Sequence, residues 1–141
     1  MPSPYWIIFE QTNRWAVALR SAVGIGRFPW RETRHSDDCL ALLSASPASV
    51  VTLELTLSRL NETLELLITV GQKYPRARAT VVADRSLEGQ EWLVRELGAA
   101  AFTSSPRELA SLVAVARHRL ATAEKSDIGL AERIRQDLPW N

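Results

Sequence analysis

What this chain lacks narrows its chemistry first. It has one cysteine, Cys39, so no internal disulfide can form and no metal-type cysteine spacing exists. The neighbours Leu40, Leu42 and Leu43 give that thiol an apolar setting, which fits a buried structural residue rather than a nucleophile. Charge of one sign is also lacking. Seventeen basic residues against sixteen acidic ones leave +1, with no global pull toward nucleic acid or an anionic membrane. No run of about 18 apolar residues occurs, and the opening Met-Pro-Ser-Pro-Tyr-Trp has no basic stretch leading into an apolar one. The chain is therefore expected to be soluble and cytoplasmic. Glycine-rich phosphate loops are missing too: Gly24-Ile-Gly26 ends a helical stretch and precedes a strand, the wrong context for a dinucleotide fingerprint. His35 and His118 are far apart and have no ligand-like neighbours, so they read as surface or packing residues. Ser104-Ser-Pro106 has no histidine partner for a nucleophilic serine. Neither a cofactor, a metal site nor enzyme activity is expected.

What is present is an ordinary globular composition over 141 residues, the size of one domain able to bury roughly two thirds of its unfolded surface. Fifteen of the basic residues are arginines, scattered along the chain in the manner of a compositional bias. Strand and helix signals alternate. Tyr5-Trp-Ile-Ile-Phe9 is an apolar run suited to a buried parallel strand. Thr12 or Asn13 is placed to cap the next helix, with Trp15, Leu19, Ala22 and Val23 at helical spacing and Gly24 and Gly26 at its end. Residues 25–33 give the weakest strand, and Pro29 suits it to a sheet edge. Ser36 opens a second helix with Asp37 and Asp38 in its first turn, and Pro47 stops it. Ser49 to Leu55 is the next strand, followed by a helix with Leu57, Leu60, Leu64, Leu67 and Ile68 as its stripe. Ala79 to Asp84 is a strand, Leu87 to Leu97 a helix ended by Gly98, and Ala99 to Thr103 the last strand. Pro106 falls at the first turn of a fifth helix that buries Leu109, Leu112, Val113, Ala116 and Leu120. Five strands alternating with five helices predict an α/β fold: a doubly wound, three-layer parallel sheet. The right-handed crossover rule favours the flavodoxin-like order 2-1-3-4-5. A flavin phosphate loop is nonetheless not supplied by Glu10-Gln-Thr-Asn-Arg14. Residues 1–122 are expected to form the domain, and 123–141 a polar linker and a short amphipathic helix over 128–138.

Pro47–Leu67, Tyr74–Arg78 and Gly98–Pro106, in order and correctly spaced, together resemble the response-regulator receiver family. Pro47 through Leu67 is similar to the stretch from the receiver's third strand, through its acceptor aspartate, into its third helix. Tyr74-Pro-Arg-Ala-Arg78 is similar to the turn before its fourth strand, and Gly98-Ala-Ala-Ala-Phe-Thr-Ser-Ser-Pro106 to its fifth-strand segment, which closes in Lys-Pro. The likeness covers about residues 5 to 122. It implies an aspartate nucleophile, an acidic pair that helps to hold Mg²⁺, and a hydroxyl and a lysine that read the phosphate. This sequence departs at most of those positions. The acidic pair falls on Glu10 and Gln11, and the acceptor on Glu54. The hydroxyl position falls on Ala83, or on Asp84 if the match slips by one, and the lysine on Ser105 before Pro106. Glu54 carries its carboxylate one methylene further out, and a misplacement of about 1 Å can cost on the order of a hundredfold in rate. A degenerate, non-phosphorylated pseudo-receiver is the expectation, with Glu54 a plain solvated carboxylate at the strand end. A permanent phosphomimic at Glu54, and a residual phosphoacceptor using Glu10 and Glu54 around Mg²⁺, are the bolder alternatives.

Such a module acts by binding a protein partner or a second copy of itself, a homodimer included; a structural or assembly subunit sharing only the fold is the third alternative. Trp92, between Glu91 and Leu93, is a candidate interface anchor or else a cover for the sheet edge. Trp6 and Trp15 fit core positions. Leu130, Ile134 and Leu138 form one stripe leading to Trp140, so the tail is expected to dock on the chain's own body or on a partner. Arg117-His-Arg119 and Arg133-Ile-Arg135 alternate around helices among acidic residues, so a nucleic-acid surface is not expected.

Overall fold

The computed structural model describes residues 3–24 and 28–120. Three strands have both faces covered and carry the continuous apolar runs that this requires. They are β1 (Trp6–Phe9), β3 (Val50–Leu55) and β4 (Arg78–Ala83), of which only Arg78 is exposed. In the edge strand β2 (Trp30–Thr33), with its exposed Arg31 and Glu32, only Thr33 is buried. Pro29, just before it, lends its carbonyl to the Trp6 N–H. β5 (Ala99–Thr103) forms the other edge, with a register shift against β4 between Ala79 and Thr80. All neighbours are parallel, in the order β2-β1-β3-β4-β5. Parallel pairing obliges a crossover each time. Those crossovers carry α1 (Arg14–Val23), α2 (Ser36–Ala45), α3 (Leu60–Lys73) and α4 (Glu91–Glu96). A fifth helix, α5, follows β5 and is helical over 110–120, where the described residues end. The flavodoxin-like fold expected from the alternation is the fold observed.

Alternation along β1 divides the core in two. Ile7 and Phe9 pack with Cys39 and Leu43 of α2, Leu66 and Leu67 of α3, and Val94 of α4. Trp6 and Ile8 pack with Trp15 and Leu19 of α1 and with Leu112 and Ala116 of α5. Cys39 has no exposed surface, and burial pushes its thiol up to about 12 against a hydrogen bond from Thr33. Within the second layer, Trp6 Nε1 donates to Thr52 Oγ1 at 2.9 Å, and Thr52 shares a 2.8 Å hydrogen bond with Thr80. Both threonines are fully buried, so this chain satisfies polar groups that water cannot reach.

Several details differ from expectation, each for a physical reason. Leu57 begins a 3₁₀ turn (Leu57–Arg59) rather than α3, and is 77% exposed. The tighter turn changes the phase, so α3 buries Thr63, Leu66, Leu67 and Val70, while Leu60 and Leu64 are half-buried and Ile68 is exposed. In α1 Ala16 is buried and Ala22 is not. The helix expected over 87–97 is split into a 3₁₀ stretch (Arg85–Gln90) and α4. Gly98, at φ 110, turns the chain into β5, a conformation a side chain would strain. Pro106 lies in a turn ahead of α5, not in its first turn. Gly26 and the tail helix, with Leu130, Ile134, Leu138 and Trp140, lie outside the described residues.

Candidate functional site

Parallel strands deliver their carboxyl ends to one edge of the sheet, and the strand order reverses between β1 and β3, where crevices form in such folds. Glu10 follows Phe9 and Glu54 follows Leu53, and Phe9 pairs with Leu53 across the two strands. Two glutamates therefore stand side by side at the reversal point. Both are buried, at 4% and 6% exposure. Glu54 is thus not the solvated strand-end carboxylate expected from the sequence.

Each carboxylate has its own partners. Glu10 accepts from the Trp15 N–H through Oε2 and from the Ala16 N–H through Oε1, both at 2.9 Å. These are two of the donors that the first turn of a helix leaves unpaired, and an anion there also meets the positive end of the helix dipole. The Trp15 and Ala16 donors of α1 are therefore capped by Glu10, while Thr12 accepts only a long 3.4 Å hydrogen bond from the Arg14 N–H. Asn13 takes a left-handed conformation (φ 64) without capping through its side chain. That bend folds the chain back so that Glu10 reaches the helix it precedes. Burial raises the Glu10 carboxyl above its usual value, opposed by those two N–H donors and reinforced by the charges of Glu54 and Glu32.

Glu54 ties down the β1–α1 loop. Its Oε1 accepts from the Gln11 N–H at 2.9 Å, and its Oε2 from the Thr12 hydroxyl at 2.8 Å. Gln11 extends the tie to the next loop: its side-chain amide donates to the Arg34 carbonyl at 2.7 Å, and its own carbonyl accepts from Arg34 Nη1 at 2.9 Å. Across the edge, Arg14 lies 3.8 Å from Asp84. The Ser86 hydroxyl holds the Asp84 carboxyl below its usual range, with Arg14 contributing least.

The remaining positions supply little chemistry. Ala83 is fully buried in the core, and Asp84, the one-residue alternative, is exposed beyond the strand end. Ser105 is committed to its own turn: its N–H and carbonyl meet the Thr103 hydroxyl at 3.3 and 3.2 Å, and its Oγ accepts from the Arg107 N–H at 3.2 Å. Pro106 continues that turn. The donor set does not fit a divalent cation. Each oxygen of Glu10 and Glu54 already accepts one hydrogen bond, which turns both carboxylates toward α1 and its loop and leaves few of the several oxygens that a hard cation needs. Among the described residues no three His, Cys, Asp or Glu side chains group as metal ligands, and no helix is long and apolar enough to cross a membrane. Trp92, on α4, is 68% exposed.

Sequence reading did not find Thr12, Arg14 and Arg34 as members of the site. Their roles depend on contacts between loops 23 to 70 residues apart, for which a single chain carries no local signal.

No protein-family model matches this chain, and no curated protein matches it. Solved structures do. NtrX from Brucella abortus, in complex with ADP, is similar with a TM-score of 0.67 and 16% identity, over 98% of this chain and 31% of that one. The chain thus spans under a third of that protein. A response regulator from Thermotoga maritima is similar with a TM-score of 0.65 and 15% identity, over 85% of this chain and 99% of the other. The CheY-like protein tadZ from Pseudomonas aeruginosa follows at 0.60 and 20%, over 84% and 99%. At such identities the likeness establishes a shared fold, that of response-regulator and CheY-like proteins.

Proposed function

We propose that this chain is a receiver-like module of bacterial signalling or regulation that works in the cytoplasm by binding another protein or a second copy of itself, without being phosphorylated. The observation that carries this reading is the engagement of both glutamates. A phosphoacceptor needs a carboxylate oxygen free to attack and a cation to neutralise the transferring group. Here the oxygens hold the α1 N-terminus and the β1–α1 loop instead. With Ala83 and Ser105 in place of a hydroxyl and a lysine, the two positions that would register a phosphate lack the groups to do so. The exposed Trp92 supports the interaction role, since an aromatic side chain left in water is a natural hot-spot anchor. Residues 1–122 form the interacting domain in this reading, and the stripe Leu130, Ile134, Leu138 and Trp140 adds a second contact surface.

The test is an amide-resolved NMR titration with Mg²⁺ and then beryllofluoride. Unmoved signals at Glu10, Glu54 and Ser105 are expected. Saturable shifts at those residues that spread to Trp92 would instead establish a divergent phosphoacceptor built on Glu54.

A further inference from the structure

At the other end of the sheet three arginines meet with no acidic partner among the described residues. Arg76 lies in the turn after α3, Arg78 opens β4, and Arg119 is in the last described turn of α5. Strand alternation puts Arg78 on the same face as Thr80 and Val82. Val82 packs with Leu112, Ala116 and Leu120, so this is the face that α5 covers. Arg119 donates through Nη2 to the Arg76 backbone carbonyl, which fastens its guanidinium to the turn. Its Nε is buried and has no hydrogen-bond partner among the described residues. The ion pairs of the described residues join Arg14 to Asp84, Arg20 to Glu32, Arg59 to Glu62 and Arg95 to Glu91, and none includes these three arginines. Burial, with the positive charges of Arg78 and Arg76, lowers the proton affinity of Arg119. A guanidinium does not deprotonate to escape such repulsion, so beyond what solvent screens it is a counter-anion that offsets it.

We propose that Arg76, Arg78 and Arg119 form a binding site for a small phosphate-bearing ligand. Three guanidiniums exceed what one carboxylate balances, whereas a phosphate carries about −1.5 to −2 and a diphosphate more. Arg76 and Arg78 each offer a planar fork of donors matched to phosphate oxygens, and Arg119 adds its charge and the N–H groups that the Arg76 carbonyl does not take. Arg76 and Arg78 are exposed and open to an incoming ligand, while the carbonyl contact pre-organises Arg119. The site lies at the sheet edge opposite the glutamate pair and does not depend on how that pair functions.

Pyrophosphate is the probe, titrated into the full ¹⁵N-labelled chain with sodium chloride at matched ionic strength as the control. Saturable shifts are expected at the Arg76, Arg78 and Arg119 signals, the Arg119 Nε–H included. Tighter binding of pyrophosphate than of inorganic phosphate assigns a diphosphate ligand, and equal binding assigns a single phosphate group. R76Q/R78Q alters only exposed side chains and should weaken binding at least about tenfold, as loss of charge-assisted hydrogen bonds does. R119K keeps the charge, loses the fork and should also weaken binding. Shifts that never saturate, that sodium chloride reproduces, or that persist in R76Q/R78Q overturn the site.

Discussion

Glu10 and Glu54 are neighbours with the same side chain, yet each carboxylate holds a different part of the chain. For Glu10, desolvation outweighs two backbone N–H donors, so its carboxyl sits above the usual 4.5 when folded. A carboxyl raised on folding makes the folded state bind more protons than the unfolded one. Its stabilising contribution is full below the unfolded value and disappears as pH rises through the folded value. Relative to Glu10→Gln, the natural chain should therefore gain stability as pH falls from neutral toward 4.5. Urea denaturation at a series of pH values measures that difference, and a flat or reversed difference would contradict it. Asp84 acts in the opposite sense, its lowered carboxyl favouring the fold above its ordinary range, but it is exposed and solvent weakens the effect.

Three central strands are joined not only by backbone ladders but by side chains, through Trp6 of β1, Thr52 of β3 and Thr80 of β4. Thr52→Val preserves the shape but leaves the Trp6 N–H and the Thr80 hydroxyl buried without that partner. Such a loss costs about 1–3 kcal/mol, to be read by chemical denaturation, and a change under about 0.5 kcal/mol would show that the network relaxes onto other acceptors. The strands were legible in the sequence because burial on both faces wrote them as apolar runs, as in Val50–Leu55. The phase of α3 was not, because a 3₁₀ turn at Leu57–Arg59 precedes it and Leu57 looks like one more member of a leucine stripe. The cap of α1 was hidden for another reason. Capping residues are sought next to the first helical turn, and Glu10 reaches it only through the left-handed bend at Asn13. Glu54 was found as a position but not as a tether, since its partners Gln11 and Thr12 are more than 40 residues away in sequence.

Over the whole molecule, the described surface shows few large apolar side chains, and Trp92 is the largest of them. At 68% exposure it is too open to serve as a cover for the sheet edge. Trp92→Ser should leave stability within about 0.5 kcal/mol, as surface substitutions do, and should reduce any concentration-dependent rise of mass in light scattering. A stability loss of several times that size would show that Trp92 packs on the body of the chain after all. The molecule also carries its own clock. Cys39 sits on the inner face of α2 with no exposed surface, and burial pushes its thiol up to about 12. An alkylating reagent attacks the thiolate, so the folded chain is silent to it, and each labelling event records an opening, local or global, that exposes the inner face of α2. With a single cysteine there is nothing else to label, and the rate of alkylation becomes a direct count of those openings.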